Sequence, residues 1–198
     1  RYHLRAACKG LETHISDVIG VLESHDLTDV VLVGHSYGGM VITGVAEQAA
    51  ERIGRLVYLD AFVPEDGKSL FDYLPPEFLP VLEDALGRGP QRDGGSAPDP
   101  SAFGVLKPDD AEWVRKFIVP HPDNCFDASL SLHNYRAANL PRSYIYCDEP
   151  AMGPFGQFSE RYEGAGGWRH HVLHTGHDAM VSDSDGTVRV LLEDAELR

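Results

Sequence analysis

The run Val30-Val31-Leu32-Val33 is apolar without a break, and Gly34-His35-Ser36-Tyr37-Gly38-Gly39 follows it at once. A continuous apolar run bounded by a glycine-rich turn reads as a strand buried on both faces. Beyond the turn, Met40, Val41, Gly44, Val45 and Gln48 keep helical spacing, so a helix packed on the sheet is predicted to end near Arg52. Upstream, Leu11, Ile15, Val18, Ile19 and Leu22 share a helical face opposite Glu12, Asp17 and Glu23, while residues 1 to 10 show no periodicity and read as loop. Leu56-Val57-Tyr58-Leu59, Ser143-Tyr144-Ile145-Tyr146-Cys147 and His171-Val172-Leu173-His174 make three further short strands. A helix over Phe155 to Glu163 separates the last two. A final helix, capped by Ser182 or Ser184, turns Val188, Leu191, Leu192 and Ala195 inward. Strands alternating with helices predict an α/β fold: a mostly parallel sheet with helices on both faces.

Between Glu65 and about Leu140 the pattern changes. Phe71, Tyr73, Leu74, Phe78, Leu79, Trp113, Phe117 and Ile118 fall in short helical patches separated by prolines, which suggests a small helical lid inserted into the sheet domain. Within it, Gly87 to Gly104 is rich in Gly, Pro, Ser and Asp and is expected to form a mobile loop. With 198 residues and 42% hydrophobic content the chain supports one complete core and not two, so residues 1–198 are expected to form a single domain.

Charge narrows the partners. A formal net charge of −14 with no basic cluster disfavours nucleic acid and anionic membrane surfaces, leaving small neutral molecules. No apolar stretch approaches a membrane span. Cys8, Cys125 and Cys147 have no metal-ligand spacing and cannot all pair, which suits a reducing, cytoplasmic compartment. The chain opens on Arg1-Tyr2-His3-Leu4, so upstream sequence is expected to be missing, and a targeting segment there is left open. Oligomeric state is also left open, a homodimer being one option.

The chemistry centres on the turn. Gly34-His35-Ser36-Tyr37-Gly38 has the form Gly-x-Ser-x-Gly, in which a strained backbone lifts a nucleophilic serine clear of the sheet. Gly34 and Gly38 are expected to flank it because a Cβ at either would collide where strand and helix meet. The following helix points its N-terminus at Ser36, and the Tyr37 amide is a candidate donor to a developing oxyanion. A serine hydroxyl needs a base, and the base needs an acid. His177, in a loop between the last strand and the last helix, is the candidate base. Asp60, at the carboxyl end of the second strand among apolar neighbours, is the preferred acid, and Asp148 is the alternative. His35, Phe62, Phe71 and Trp113 are expected to line the substrate pocket. His171, His174 and His177 have a three-residue spacing that on a strand points successive rings to opposite faces, so no metal site is expected there.

Three segments carry a resemblance: Gly-His-Ser-Tyr-Gly-Gly around Ser36, Leu-Val-Tyr-Leu-Asp-Ala-Phe-Val-Pro-Glu-Asp-Gly at 56 to 67, and Thr-Gly-His-Asp-Ala-Met at 175 to 180. Together they resemble the bacterial esterase branch of the α/β-hydrolase superfamily, which is related to plant methyl esterases and hydroxynitrile lyases. The resemblance spans essentially the whole chain and implies cofactor-free hydrolysis of small, hydrophobic carboxylic esters through an acyl-enzyme. It also exposes departures. The family's first strands and the His-Gly loop that supplies a second oxyanion donor have no counterpart before Leu11, so the strand at 30 to 33 is expected to lack a neighbour on one side. The acid of the plant relatives falls at Pro150, which cannot serve. Two other readings compete: a catalytically silent small-ligand-binding homologue, and a hydroxynitrile lyase, the latter disfavoured because Asp178 occupies the place of that group's lysine.

Overall fold

In the computed structural model, the residues described are 8, 10–80, 97–119, 121–122 and 124–196. Four strands, β1 (Val30–Ser36), β2 (Ile53–Ala61), β3 (Arg142–Cys147) and β4 (Trp168–Leu173), pair in the order β1-β2-β3-β4, all parallel. The α/β-hydrolase fold expected from the sequence is therefore present. Helices α1 (Leu11–Ser24) and α2 (Gly38–Ala49) precede and follow β1. Helix α3 (Pro108–Phe117) lies between β2 and β3, α4 (Gly156–Tyr162) between β3 and β4, and α5 (Ser184–Glu196) closes the chain.

Strand β2 divides the interior. Successive side chains of a strand point to opposite faces, and the two faces of β2 feed two separate cores. Leu56 and Tyr58 join Ile15 of α1, Met40 and Val45 of α2 and Phe158 of α4. Val57 and Leu59 join Ile145, Cys147, Leu173 and Val190 of α5. Between these layers β2 is buried along almost its whole length. By contrast β1, read from its composition as buried on both faces, is half-buried and leaves Val33 39% exposed. Its only partner among the described residues is β2.

Two further expectations change. The inward face of α5 is formed by Gly186, Thr187, Val190 and Asp194, while Val188 and Leu192 are more than half exposed. Leu191 packs on the second core as expected and Ala195 is half-buried, but counting apolar residues misplaced Val188 and Leu192 because the docking residue is charged: fully buried Asp194 takes Arg169 of β4 at 3.2 Å. The fourth strand runs from Trp168 to Leu173, three residues earlier than its apolar centre suggested. Of the glycine-rich stretch 87–104, residues 87–96 lie outside the described residues, as do most of residues 1 to 10. Pro100–Phe103 form a helical turn capped by Asp99.

The turn after β1 is held by close backbone approach. A Cβ on Gly34 would lie 2.5 Å from the Gly38 carbonyl oxygen, as the motif requires. A Cβ on Gly39 would lie 1.9 Å from the carbonyl of Phe62, whereas one on Gly38 meets nothing within 4 Å. The steric argument thus belongs to Gly34 and Gly39, and Gly38 instead leaves open space beside the serine. Gly39→Ala is expected to destabilise the fold by about 3 kcal/mol or more, and Gly38→Ala by well under ~1 kcal/mol. Urea unfolding of the two variants checks the contrast.

Candidate active site

The functional candidates collect at the carboxyl ends of the strands, where open α/β sheets carry their sites. Ser36 is the last residue of β1 and has φ 54, left-handed backbone that a non-glycine residue adopts only when its surroundings impose it. The Phe62 amide donates to its carbonyl at 3.2 Å and ties the turn to the end of β2. Asp60 also has a positive φ, 41. The ladder pairs His35 with Leu59 and then Ser36 with Ala61, so Asp60 is the residue skipped, a bulge that swings its side chain out of register. Its carboxylate accepts two hydrogen bonds: from the Cys147 amide at the end of β3 at 3.2 Å, and from Nδ1 of His177, in the loop after β4, at 2.7 Å.

Both partners are shut off from solvent, Asp60 at 0% and His177 at 2% exposure. Burial disfavours charge on either. It pushes the Asp60 carboxyl up, with the Cys147 amide pulling it back, and it lowers the His177 imidazole. With two donors on the carboxylate, the form that burial removes is the cationic imidazole. His177 is thus a neutral ring with Nδ1 committed to Asp60 and Nε2 left as its basic nitrogen. Asp148 does something else: its carboxylate contacts Nδ1 of exposed His174 at 3.0 Å. Each of the three spaced histidines consequently faces its own carboxylate, His171 with Asp194, His174 with Asp148 and His177 with Asp60.

Several neighbours position the His177 ring, and sequence reading assigned most of them nothing. Phe155 stacks on the His177 ring at 4.7 Å with planes 10° apart, and the His35 ring lies at 4.3 Å. His35 Nε2 donates to the carbonyl of His177 at 3.0 Å and sits 3.7 Å from Asp178. Burial drives the His35 pKa down to about 3, so it acts as a neutral donor. Asp178 is raised by burial to about 6. Gly104, with φ +77, touches Gly176 closely enough that a Cβ would lie 2.5 Å from its Cα, and the Asp178 amide donates to the Phe103 carbonyl at 3.0 Å. The segment between β2 and β3 therefore braces the loop that carries His177. Only the glycines at 104 and 176 hinted at this contact.

A cavity of about 450 Å³ opens in front of Ser36. His35, Ser36, Tyr37 and Gly38 form its polar floor, and Phe62, Phe78, Phe103, Phe126, Phe155 and Met152 are among its apolar walls. His35 and Phe62 were expected there. Phe71 and Trp113 are not on the lining: Phe71 packs against the main core, and Trp113 is 54% exposed on the outer side of α3 beside Phe117. The residues that do line it, Leu70 and Leu74, flank Phe71 in a helical turn whose phase an isolated aromatic cannot reveal. At the floor, the N-terminus of α2 stands next to Ser36, with the Met40 amide donating to the Tyr37 carbonyl at 2.9 Å. A second donor from an upstream loop has no counterpart among the described residues.

The Alpha/beta hydrolase family model matches residues 4–190. A carbendazim hydrolyzing esterase from Nocardioides sp. (strain SG-4G) is 41% identical over 187 residues, covering 91% of this chain and 77% of that protein. Among solved structures, an extracellular alpha/beta-hydrolase from a Paenibacillus species, described as sharing structural and functional homology with tobacco salicylic acid binding protein 2, superposes with a TM-score of 0.77. It shows 26% identity, covering 93% of this chain and 79% of its own. A variant of tomato methylketone synthase I shares the fold with a TM-score of 0.73 at 17% identity, covering 96% and 79% of the two chains. The Paenibacillus structure corrects the cytoplasmic location drawn from cysteine usage, since a close structural relative is extracellular. The physical reason is that thiols sealed in a core, as Cys125 and Cys147 are, report burial and not the redox state outside. No helix among the described residues is long and apolar enough to cross a membrane.

If Asp60 is the acid that serves His177, Asp60→Asn lowers kcat for an activated ester by about 10⁴-fold, the scale of loss when a buried triad acid becomes an amide. Asp148→Asn leaves it within about twofold, and steady-state kinetics on the two variants distinguish the carboxylates.

Proposed function

The chain belongs to the α/β-hydrolase family and is an esterase-type hydrolase of small carboxylic esters, and from that premise we propose that Ser36, His177 and Asp60 carry the reaction as nucleophile, base and acid. The observation that supports this reading most is the 2.7 Å bond between buried His177 and buried Asp60, at the sheet edge where Ser36 is raised on strained backbone beside the cavity. His177 Nε2 takes the proton of Ser36 Oγ as Oγ attacks the ester carbonyl. The Tyr37 amide at the positive end of α2 receives the oxyanion, and the proton passes to the departing alcohol. Water, activated by the same nitrogen, then releases the acid and restores the serine.

Substrate class follows from the cavity. Its aromatic walls favour an ester with a flat, apolar arm, and its modest volume limits the whole molecule to small size. The segment between β2 and β3, which supplies Phe78, Phe103 and Phe126, is assigned the role of a lid over residues 65–140. Carbendazim, named for the 41%-identical relative, is the first natural-sized compound to try.

Mixing enzyme with excess p-nitrophenyl ester should release a burst of p-nitrophenolate equal to the enzyme concentration before the steady state, and Ser36→Ala should abolish both phases. Steady turnover without Ser36 would overturn the assignment. Because burial lowers the His177 pKa below its ordinary 6.5, the base stays unprotonated further into the acid range. The acid limb of kcat/KM is therefore expected below pH 6.5, and a pH profile of the wild-type enzyme tests its position.

A further inference from the structure

Beside Tyr37, three segments distant in sequence bring sulfur and nitrogen together. Cys8 lies just before α1, His14 in its first turn, and Cys125 in the loop that follows α3. The approach of the two loops is close: a Cβ on Gly10, whose φ is +124, would lie 3.4 Å from the Asn124 carbonyl. Cys8 Sγ is 3.4 Å from His14 Nε2 and 3.6 Å from Cys125 Sγ, and the three ligand atoms all lie within 4.8 Å of one another. A tetrahedral zinc ion, with Zn–S about 2.3 Å and Zn–N about 2.0–2.1 Å, sets its ligands about 3.8 Å apart for S···S and about 3.6 Å for S···N. The Cys8–Cys125 and Cys8–His14 separations fall within about 0.2 Å of those edges, and the third lies within 4.8 Å.

The surroundings also suit an ion. His14 Nδ1 is 2.9 Å from the Tyr37 hydroxyl, so a proton on Nδ1 leaves the Nε2 lone pair facing the sulfurs, the arrangement in which a ligating histidine is oriented by a partner on its other nitrogen. Cys125 is buried, Cys8 and His14 are half-buried, and the rings of Tyr37 and His121 flank His14. Cys8 Sγ also reaches the Gly10 carbonyl at 3.7 Å and Cys125 Sγ reaches Asn124 Oδ1 at 3.8 Å, and the Cys125 thiol hydrogen-bonds the Tyr37 side chain.

We propose that Cys8, His14 and Cys125 form a three-ligand site for a borderline-soft divalent cation, zinc foremost, with a fourth position open to water. Binding replaces two S–H protons, which leave to solvent, so two thiolates balance the double positive charge and no net charge is buried. The ion serves as a clamp joining the segment before α1, α1 itself and the loop after α3. None of its ligands lines the cavity, so the proposal stands or falls independently of the esterase reading.

The test uses the whole protein kept reduced with a phosphine, which does not compete as a thiol would. Titration with Cd²⁺ should raise a thiolate-to-cadmium charge-transfer absorption that reaches its plateau at one ion per chain. Zn²⁺ should displace that band and raise Tm as its concentration rises. Cys8→Ser and Cys125→Ser should each halve the saturated band and weaken binding by more than ~100-fold. Should the buried Cys125→Ser variant fail to fold, the half-exposed Cys8→Ser variant carries the comparison. Absence of the band at one equivalent, its survival undiminished in Cys8→Ser, or a Cys8–Cys125 disulfide that persists in the folded protein under the phosphine would each overturn the site.

Discussion

A carboxylate and an imidazole share one short hydrogen bond out of reach of water, and the rest of the site is arranged around it. Asp60 and His177 are 2.7 Å apart and essentially unexposed. Placing ionisable groups in such surroundings costs several kcal/mol each unless every lone pair and proton finds a partner. The structure answers part of that demand from two strands and a loop: β2 supplies the carboxylate through a bulge, β3 supplies the Cys147 amide, and the loop after β4 supplies the ring. Phe155 covers one face of the imidazole, and His35 holds its backbone from the turn that also carries Ser36. One orientation of the His177 ring remains compatible with this set of contacts.

The same burial that makes the pair costly makes it useful. In a low-dielectric site an oriented dipole acts with more force than it would in water. The aromatic walls of the cavity extend that dry environment over Ser36, and the segment between β2 and β3 contributes both walls and support, since Phe103 lines the cavity while its carbonyl takes the Asp178 amide. Cavity wall and support for the His177 loop are thus built from one piece of chain. A clamp at Cys8, His14 and Cys125 would act beside Tyr37, steadying the loop that carries Phe126 into the cavity.

Much of this was legible in the chain. Apolar runs located β1, β2 and β3, and β2, buried along almost its whole length, spends polar positions only on Arg55 and Asp60, whereas β4, which carries Arg169, His170 and His171, was caught only by its last three residues. Ser36 and His177 stood out because glycine-rich turns at strand ends are local features. Asp60 was recognisable as a carboxylate ending an apolar run, but the bulge that aims it depends on register with β1, which no single stretch encodes. Nor does local pattern contain the inward face of α5, where a charged Asp194 is buried because Arg169 on β4 meets it. Phe155 and Phe126 were likewise invisible as site residues: each is one aromatic among many until tertiary packing sets it beside a ring or a cavity. The cysteines misled in the same way, since spacing along the chain concealed that Cys8 and Cys125 meet in space.

The central claim is that His177 rests as a neutral base, its Nδ1 proton given to Asp60 and its Nε2 bare. Nitrogen NMR of protein with ¹⁵N-labelled histidine reads charge and tautomer directly. At neutral pH the account predicts that the His177 ring carries a protonated Nδ1 and an unprotonated Nε2, its Nδ1 proton resonance far downfield and lost in Asp60→Ala. A His177 found as the cation, or with its proton on Nε2, would contradict it.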